Sequence, residues 1–369
     1  MEQGRNQAFD LEQVEEYLAE RTGAAVEVRE VRQLKGEATG EQALKQFGYG
    51  QPIMVCYAVD GVEERVVFHR IRRNAFGRER EDDRVAAVWL DFRTFNDLPR
   101  HAPALDLVMQ TGTGAVRSIA EAEELWLVSG YRPGRPYAGD LARIRDEGRA
   151  EALDFRRAEA LAAYLAGIHR TSHSDQALWQ RRLRDLIGHG EGIMGLTDNY
   201  PRGLAYAPEE ELRAIEELAN RWRWRLKPLD HRLRQVHGDF HPFNILFDEG
   251  LEFYVLDRSR GAWGEPADDV SCLSINYLFF SLQRNGGLEP PFTDLHDRFW
   301  ERYLAARPDD DLTAVIQPWF AWRALVLASP VWYPTLSDDV RRKLLNFAWR
   351  VLNADRYDYR AVNGYLEPV

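Results

Sequence analysis

The stretch from Gln235 to Val270, QVHGDFHPFNILFDEGLEFYVLDRSRGAWGEPADDV, constrains this chain more than any other part of it. Two short runs, NILF and LEFYVLD, read as strands, and the turn residues Asp248, Glu249 and Gly250 between them predict a hairpin. Polar side chains crowd the mouths of both strands: Asp239 and Asn244 lead into the first and Asp257 ends the second. Buried strand ends do not tolerate unpaired carboxylates without a reason. The hairpin folds Asp257 back beside Asn244, which brings a carboxylate and an amide oxygen together. Hard oxygen donors of this kind suit magnesium, which keeps several waters and takes the rest of its coordination from substrate phosphates.

The separation of Asp239 and Asn244 is that of the kinase catalytic loop, where the aspartate takes a hydroxyl proton and the asparagine binds magnesium. His237-Gly238-Asp239-Phe240-His241-Pro242-Phe243-Asn244 resembles the H-G-D-x-H-x-x-N signature of the aminoglycoside and choline kinase-like phosphotransferases. Leu256-Asp257, then Gly264, Pro266 and Asp269, resemble that family's metal-binding aspartate and its G-x-P-x-x-D element. The resemblance implies an α+β, protein-kinase-like bilobal fold, with a small antiparallel sheet in the amino-terminal lobe, a larger helical carboxyl-terminal lobe and ATP in the cleft. It further implies Asp239 as base, Asn244 and Asp257 as magnesium ligands, and His237 and Asp269 as braces of the catalytic segment. The likeness runs from about Val26 to the carboxyl end and is dense between His237 and Asp269.

The rest of the chain is read against that layout. Asp10 before LEQVEEYLAE, with Gln13 three positions on, has the form of a capping box, and Leu11, Val14 and Leu18 share a helical face. VEVREVRQL, PIMVCYAV and ERVVFHRI predict a small antiparallel sheet with a tight turn at Asp60-Gly61. A helix is expected over Asp83–Leu98, with Val85, Val88, Trp89 and Phe92 on one face, and a further strand over ELWLVSGY, ending at Tyr131. Beyond the PGRP turn at Pro133 to Pro136 the pattern is mainly helical, with Ala158, Leu161, Ala162, Leu165 and Ile168 at helical spacing before His169, which sets the expected boundary: a nucleotide-binding lobe over 1–132 and a catalytic, substrate-binding lobe over 133–369.

The family's nucleotide-gripping lysine is missing from VVFHRI. Arg70, alternating with Val66 and Phe68, takes its expected place, with Asp83 or Glu79 as acidic partner. Backbone around Ser129 and Tyr131 is expected to meet adenine. Lys35 to Gly40, within a glycine-punctuated stretch that is neither a Walker loop nor G-x-G-x-x-G, is either a phosphate cover or an ordinary loop.

The formal net charge of −11 argues against a surface built for nucleic acid. Two distant cysteines and the lack of a basic-then-apolar leader fit a reducing cytoplasm, and no apolar run is long enough to anchor in a membrane. A small-molecule hydroxyl compound is the expected partner of a monomer or homodimer: no A-P-E ending follows Asp257, unlike a protein kinase's activation segment. Other readings stay open. One is a pseudokinase that binds nucleotide without turnover; another is a metal hydrolase built on His237, Asp239 and His241. Arg258 and Arg260 either contact the transferred phosphate or pair with Glu265 and Asp268.

Overall fold

The computed structural model describes residues 11–34 and 50–368. Asp10 and the glycine-punctuated stretch, apart from Gly50, therefore lie outside the described residues. The chain forms two compact units, Met1–Ser129 and Gly130–Val369.

In the first unit, helix α1 (Leu11–Thr22) precedes a three-stranded antiparallel sheet of β1 (Val26–Gln33), β2 (Gly50–Val59) and β3 (Val62–Ile71). Asp60 and Gly61, between paired Val59 and Val62, both have positive φ, at 49° and 78°. This is the backbone a two-residue turn needs to match strand twist. Val14, Tyr17 and Leu18 of α1 bury against Val55 and Tyr57 of β2, and Val66 and Phe68 of β3 pack beside them, as a period-2 face requires. Leu11, expected on the buried face, is exposed because it lies at the open first turn of the helix. Helix α2 (Glu81–Thr94) half-buries Val88, Trp89 and Phe92 and leaves Val85 in solvent. The strands β4 (Val108–Gln110) and β5 (Val116–Ser118) form a hairpin that the sequence reading missed, although the TGTGA run between them is a turn signal.

The strand expected over Glu124–Tyr131 does not form. Trp126, Leu127, Val128 and Tyr131 stand in solvent, at 82 to 93% exposure, and the segment pairs with neither β1 nor β3. An apolar run records a preference for burial; it does not supply the neighbouring strand whose N–H and C=O groups must complete the ladder.

The second unit opens with β6 (Arg135–Pro136) and the helices α3 (Tyr137–Glu147), α4 (Ala152–Ile168), α5 (Gln176–Gly188), α6 (Ile193–Asp198) and α7 (Glu209–Leu226). Short strands β7 (Arg234–Gln235), β8 (Ile245–Phe247), β9 (Phe253–Val255) and β10 (Trp263–Gly264) follow. They make two small sheets, β6-β8-β9 and β7-β10. The chain closes with α8 (Pro266–Asn285), α9 (Phe292–Ala306), α10 (Leu312–Val315), α11 (Gln317–Ala328) and α12 (Asp338–Asn353).

Helix α8 is buried from Pro266 to Leu282, and apolar residues such as Val270, Leu273, Ile275, Leu278 and Phe279 accordingly fall on all of its sides. It packs against α9 and α11, α11 against α12, and α4 against α9. Ala158, Leu161, Ala162 and Leu165, predicted to share a face, are fully buried in α4. No helix among the described residues is long and apolar enough to cross a membrane.

Candidate active site

The hairpin of β8 and β9 pairs Ile245 with Val255 and Phe247 with Phe253. One further bond, Leu256 N–H to the Asn244 carbonyl at 2.8 Å, carries the pairing to the mouth of the hairpin. Asp257 follows at once with φ 54°, a left-handed conformation that aspartate adopts more readily than most residues.

Ahead of β8, Gly238 has φ 87°, and a Cβ there would meet Arg260 Cβ at 3.3 Å. Only glycine takes this position without strain. The Asp269 carboxylate fixes the segment by accepting the backbone N–H groups of His237 at 2.8 Å and Gly238 at 2.7 Å. Asp269 lies in the first turn of α8, where the helix dipole favours an anion. Its second contact is His169 Nε2 at 3.0 Å, and His169 Nδ1 in turn lies 2.8 Å from the Tyr303 hydroxyl. Burial alone would raise the Asp269 carboxyl, but His169 and the two backbone N–H groups outweigh it and hold it below the usual carboxylate range. His237 accepts the Asp239 N–H at Nδ1, 3.3 Å away, and its ring meets Phe240 edge-on. Its Nε2 is buried without a partner.

Asp239 accepts two guanidinium bonds, and both fall on Oδ1: Arg323 Nη1 at 2.8 Å and Arg260 Nη1 at 2.9 Å. Among the described residues Oδ2 keeps only a distant neighbour, His241 Nε2 at 3.7 Å. Burial pushes the Asp239 carboxyl up, yet Arg323, Arg260 and His241 together bring it below its ordinary value. His241 is shifted in the same direction, with the opposite consequence for its charge. Burial, joined by the two arginines, outweighs Asp239 and favours the neutral ring.

Arg323 also bridges to Asp268 Oδ1 at 2.7 Å and to the Gly238 carbonyl at 3.2 Å, and its guanidinium lies 4.0 Å from the centre of the Trp322 ring. Arg182 closes the ring of contacts, donating to Asp268 Oδ2 at 3.3 Å and to the Arg260 carbonyl at 2.6 Å. Every carboxylate at the start of α8 is thus matched, since Glu265 pairs with Arg232 at 2.6 Å.

Sequence reasoning missed Arg323 and Arg182, which reach the site from α11 and α5. The signal was present for Arg323: it is the lone charge in the run IQPWFAWRALVLA, and a charge in a buried helix needs a partner. Arg258 and Arg260 do not pair with Glu265 and Asp268, because those carboxylates are taken by Arg232, Arg323 and Arg182. Arg258 instead donates to the Val236 and Ala262 carbonyls, and Arg260 to Asp239 and Glu191.

The amide of Asn244 donates through Nδ2 to the Asp239 carbonyl at 3.2 Å, which turns Oδ1 away from that bond and leaves it available as a donor to a cation. Asp257 is exposed, and among the described residues its carboxylate has no ion pair. An amide oxygen and an unpaired carboxylate at one hairpin mouth are hard donors that fit a small divalent cation. His237, Asp239 and His241, by contrast, form no ligand cluster: among the described residues no group of three or more His, Cys, Asp or Glu side chains is placed to hold a metal.

Arg70 is exposed on β3, opposite Gln51 in the register. The described residues give it no acidic partner, and Asp83 accepts the Arg80 N–H at 2.8 Å as part of the cap of α2. Ser129 and Tyr131 lie in the stretch without regular structure.

The chain belongs to the phosphotransferase enzyme family, whose model matches residues 91–311, more than half of the sequence. No protein of curated function matches it. Among solved structures, a glucosamine kinase in complex with glucosamine, ADP and inorganic phosphate is 18% identical, with 56% of this chain and 57% of that one covered and a TM-score of 0.39. This chain thus spans a little over half of that kinase. An amicoumacin kinase in complex with AMP-PNP and Ca2+ is 14% identical over 82% of this chain and 85% of its own, with a TM-score of 0.38. A thermostable mutant of aminoglycoside phosphotransferase APH(4)-Ia is 14% identical over 91% of this chain and 98% of its own, with a TM-score of 0.37. At such scores the family assignment rests on the family match, not on these likenesses.

Proposed function

We propose that this protein is a small-molecule kinase that moves the γ-phosphate of ATP to a hydroxyl group with Asp239 as base. The observation that carries the reading is the state of the Asp239 carboxylate. It is ionised by two guanidinium partners that both use Oδ1, and Oδ2 is left to a substrate hydroxyl. A weakly basic carboxylate suffices, because phosphoryl transfer passes through a loose transition state in which positioning and charge stabilisation dominate.

Asn244 and Asp257 would hold magnesium, which when bound neutralises charge on the phosphates. Asp269 and His237 hold the backbone on either side of Gly238, so that Asp239 keeps one orientation. Arg70, Ser129 and Tyr131 are assigned to the nucleotide from the family pattern, as is the division into a nucleotide-binding lobe over 1–132 and a catalytic lobe over 133–369. An exposed arginine that has no acidic partner among the described residues, in place of the family's usual lysine, favours, as a second reading, a pseudokinase that binds nucleotide without turnover.

Coupled-assay nucleotide consumption with a pool of hydroxylated acceptors tests the metal assignment. Asp257→Ala is expected to lower magnesium-dependent turnover by roughly 100-fold or more and to raise the magnesium concentration required, as loss of a direct ligand does. Turnover with unchanged magnesium dependence would remove Asp257 from the site.

A pH profile tests the base. Against burial, the folded pKa of Asp239 is held below the ordinary aspartate value by Arg323, Arg260 and His241, so the group stays charged at and above that ordinary value. Its stabilising contribution is full above that value and is lost as pH falls through the folded pKa. The expected kcat/KM profile therefore has no acid limb from this group between roughly pH 5 and 8. An acid limb near neutrality that disappears in Asp239→Asn would contradict a depressed pKa.

A further inference from the structure

A cavity of about 660 Å³ lies within the second unit, where α3, α8 and the segment leading into α12 meet. It borders the catalytic segment directly. Phe243 lines it, half exposed, and packs against His241 at 5.8 Å between ring centres; His241 Nε2 faces the open Oδ2 of Asp239. The other large contributors to its wall are Phe279, Phe280, Tyr333, Leu336 and Val340. Tyr333 and Phe279 meet edge-to-face at 5.0 Å, which gives the wall a fixed aromatic corner.

Among the described residues the polar lining is sparse and contains no carboxylate: Arg145, Gln283, Thr335, Ser337 and the Tyr333 hydroxyl are its hydrogen-bonding groups. Arg145 donates to Gln283 Oε1 at 3.0 Å, pairs with Asp146 at 2.7 Å and lies over the Phe280 ring. A polycation needs acidic side chains to replace its lost hydration, and a wall that holds one cation and no carboxylate among the described residues offers none.

Resting on the kinase reading above, we propose that this cavity is the acceptor site and that the acceptor is an uncharged, largely apolar alcohol, not a polyamine sugar. The occupant lays its apolar body against Phe279, Phe280 and Tyr333 and presents its hydroxyl past Phe243 toward Asp239.

Gly139 makes the proposal testable. It lines the cavity from within α3, and a Cβ built on it meets nothing within 4 Å. Gly139→Leu therefore adds a bulky side chain at the cavity wall with open space at its Cβ, and leucine is the better helix former. Calorimetric titration with 3-phenyl-1-propanol and 1,10-decanediol, against kanamycin and choline, is run on the wild type and on Gly139→Leu, alongside titration with MgATP. Saturable binding of the two alcohols alone is expected, weakened at least tenfold in the variant, with MgATP affinity within about twofold of wild type. Three results each overturn the proposal: no saturable binding of either alcohol, tighter binding of kanamycin or choline, or alcohol binding indifferent to Gly139→Leu. Because the readout is binding, the kinase reading fails separately, through alcohols that bind but never become phosphorylated.

Discussion

Asp239→Asn is expected to lower kcat by roughly 10²- to 10⁴-fold, the range carried by a positioned base, while MgATP affinity changes by no more than about threefold. The substitution keeps the shape of the side chain and removes its charge. Arg323 retains Asp268, and Arg260 retains Glu191, so neither guanidinium is left unmatched. The backbone bonds that hold the segment run from His237 and Gly238 to Asp269 and are untouched. Folding should therefore survive with a cost of about 1–3 kcal/mol for the lost charged bonds. Stopped-flow or steady-state turnover, with nucleotide titration on the same preparation, separates the two effects. Undiminished turnover would take Asp239 out of the chemistry.

The second large effect is expected at Arg323. Its guanidinium joins Asp239 to Asp268 while buried, and removing one member of a buried ion pair leaves a carboxylate that must either stay charged in a dry site or take up a proton. Arg182 still reaches Asp268, at 3.3 Å, which softens the loss. Arg323→Met should then cost about 3 kcal/mol of stability, near the low end of the range for a broken buried pair. For a unit of this size that is a fall in Tm of about 6–12 °C. Turnover should fall as well, since Asp239 Oδ1 loses one of the two bonds that aim Oδ2. A purely structural role and a positioning role separate in the double variant Asp268→Asn with Arg323→Met. Stability should return part of the way because Asp268 no longer carries a buried charge that has lost Arg323, but kcat should stay low. Recovery of both would make Arg323 a packing residue only.

Much of this architecture was legible in the sequence because local patterns decide it. The β2–β3 hairpin follows from alternation on both sides of Asp60-Gly61, and the β8–β9 hairpin from two short runs around Asp248 to Gly250. Periodicity at Ala158, Leu161, Ala162 and Leu165 marked the buried face of α4. The spacing of Asp239, Asn244 and Asp257 placed three polar groups at one hairpin.

What escaped was decided by distant neighbours. Glu124–Tyr131 has the composition of a strand, yet no sheet edge accepts it. Arg258 looks like a salt-bridging residue beside Glu265 and Asp268 and instead satisfies the Val236 and Ala262 carbonyls, because arginines from elsewhere in the chain already hold those acids. Arg323 is 84 positions from Asp239, a pairing that helix packing alone sets. A lone arginine in an apolar helix announces that a partner exists, but not which one.

The most direct measurement is mass-spectrometric analysis of acceptor and nucleotide after incubation of the purified protein with MgATP and a broad pool of alcohols, with Asp239→Asn run in parallel. Phosphoryl transfer predicts an acceptor heavier by one phosphoryl group, formed in step with ADP by the wild type and not by the variant. Nucleotide that binds but stays intact, with every acceptor unchanged, would contradict a kinase and leave a nucleotide-binding protein in its place.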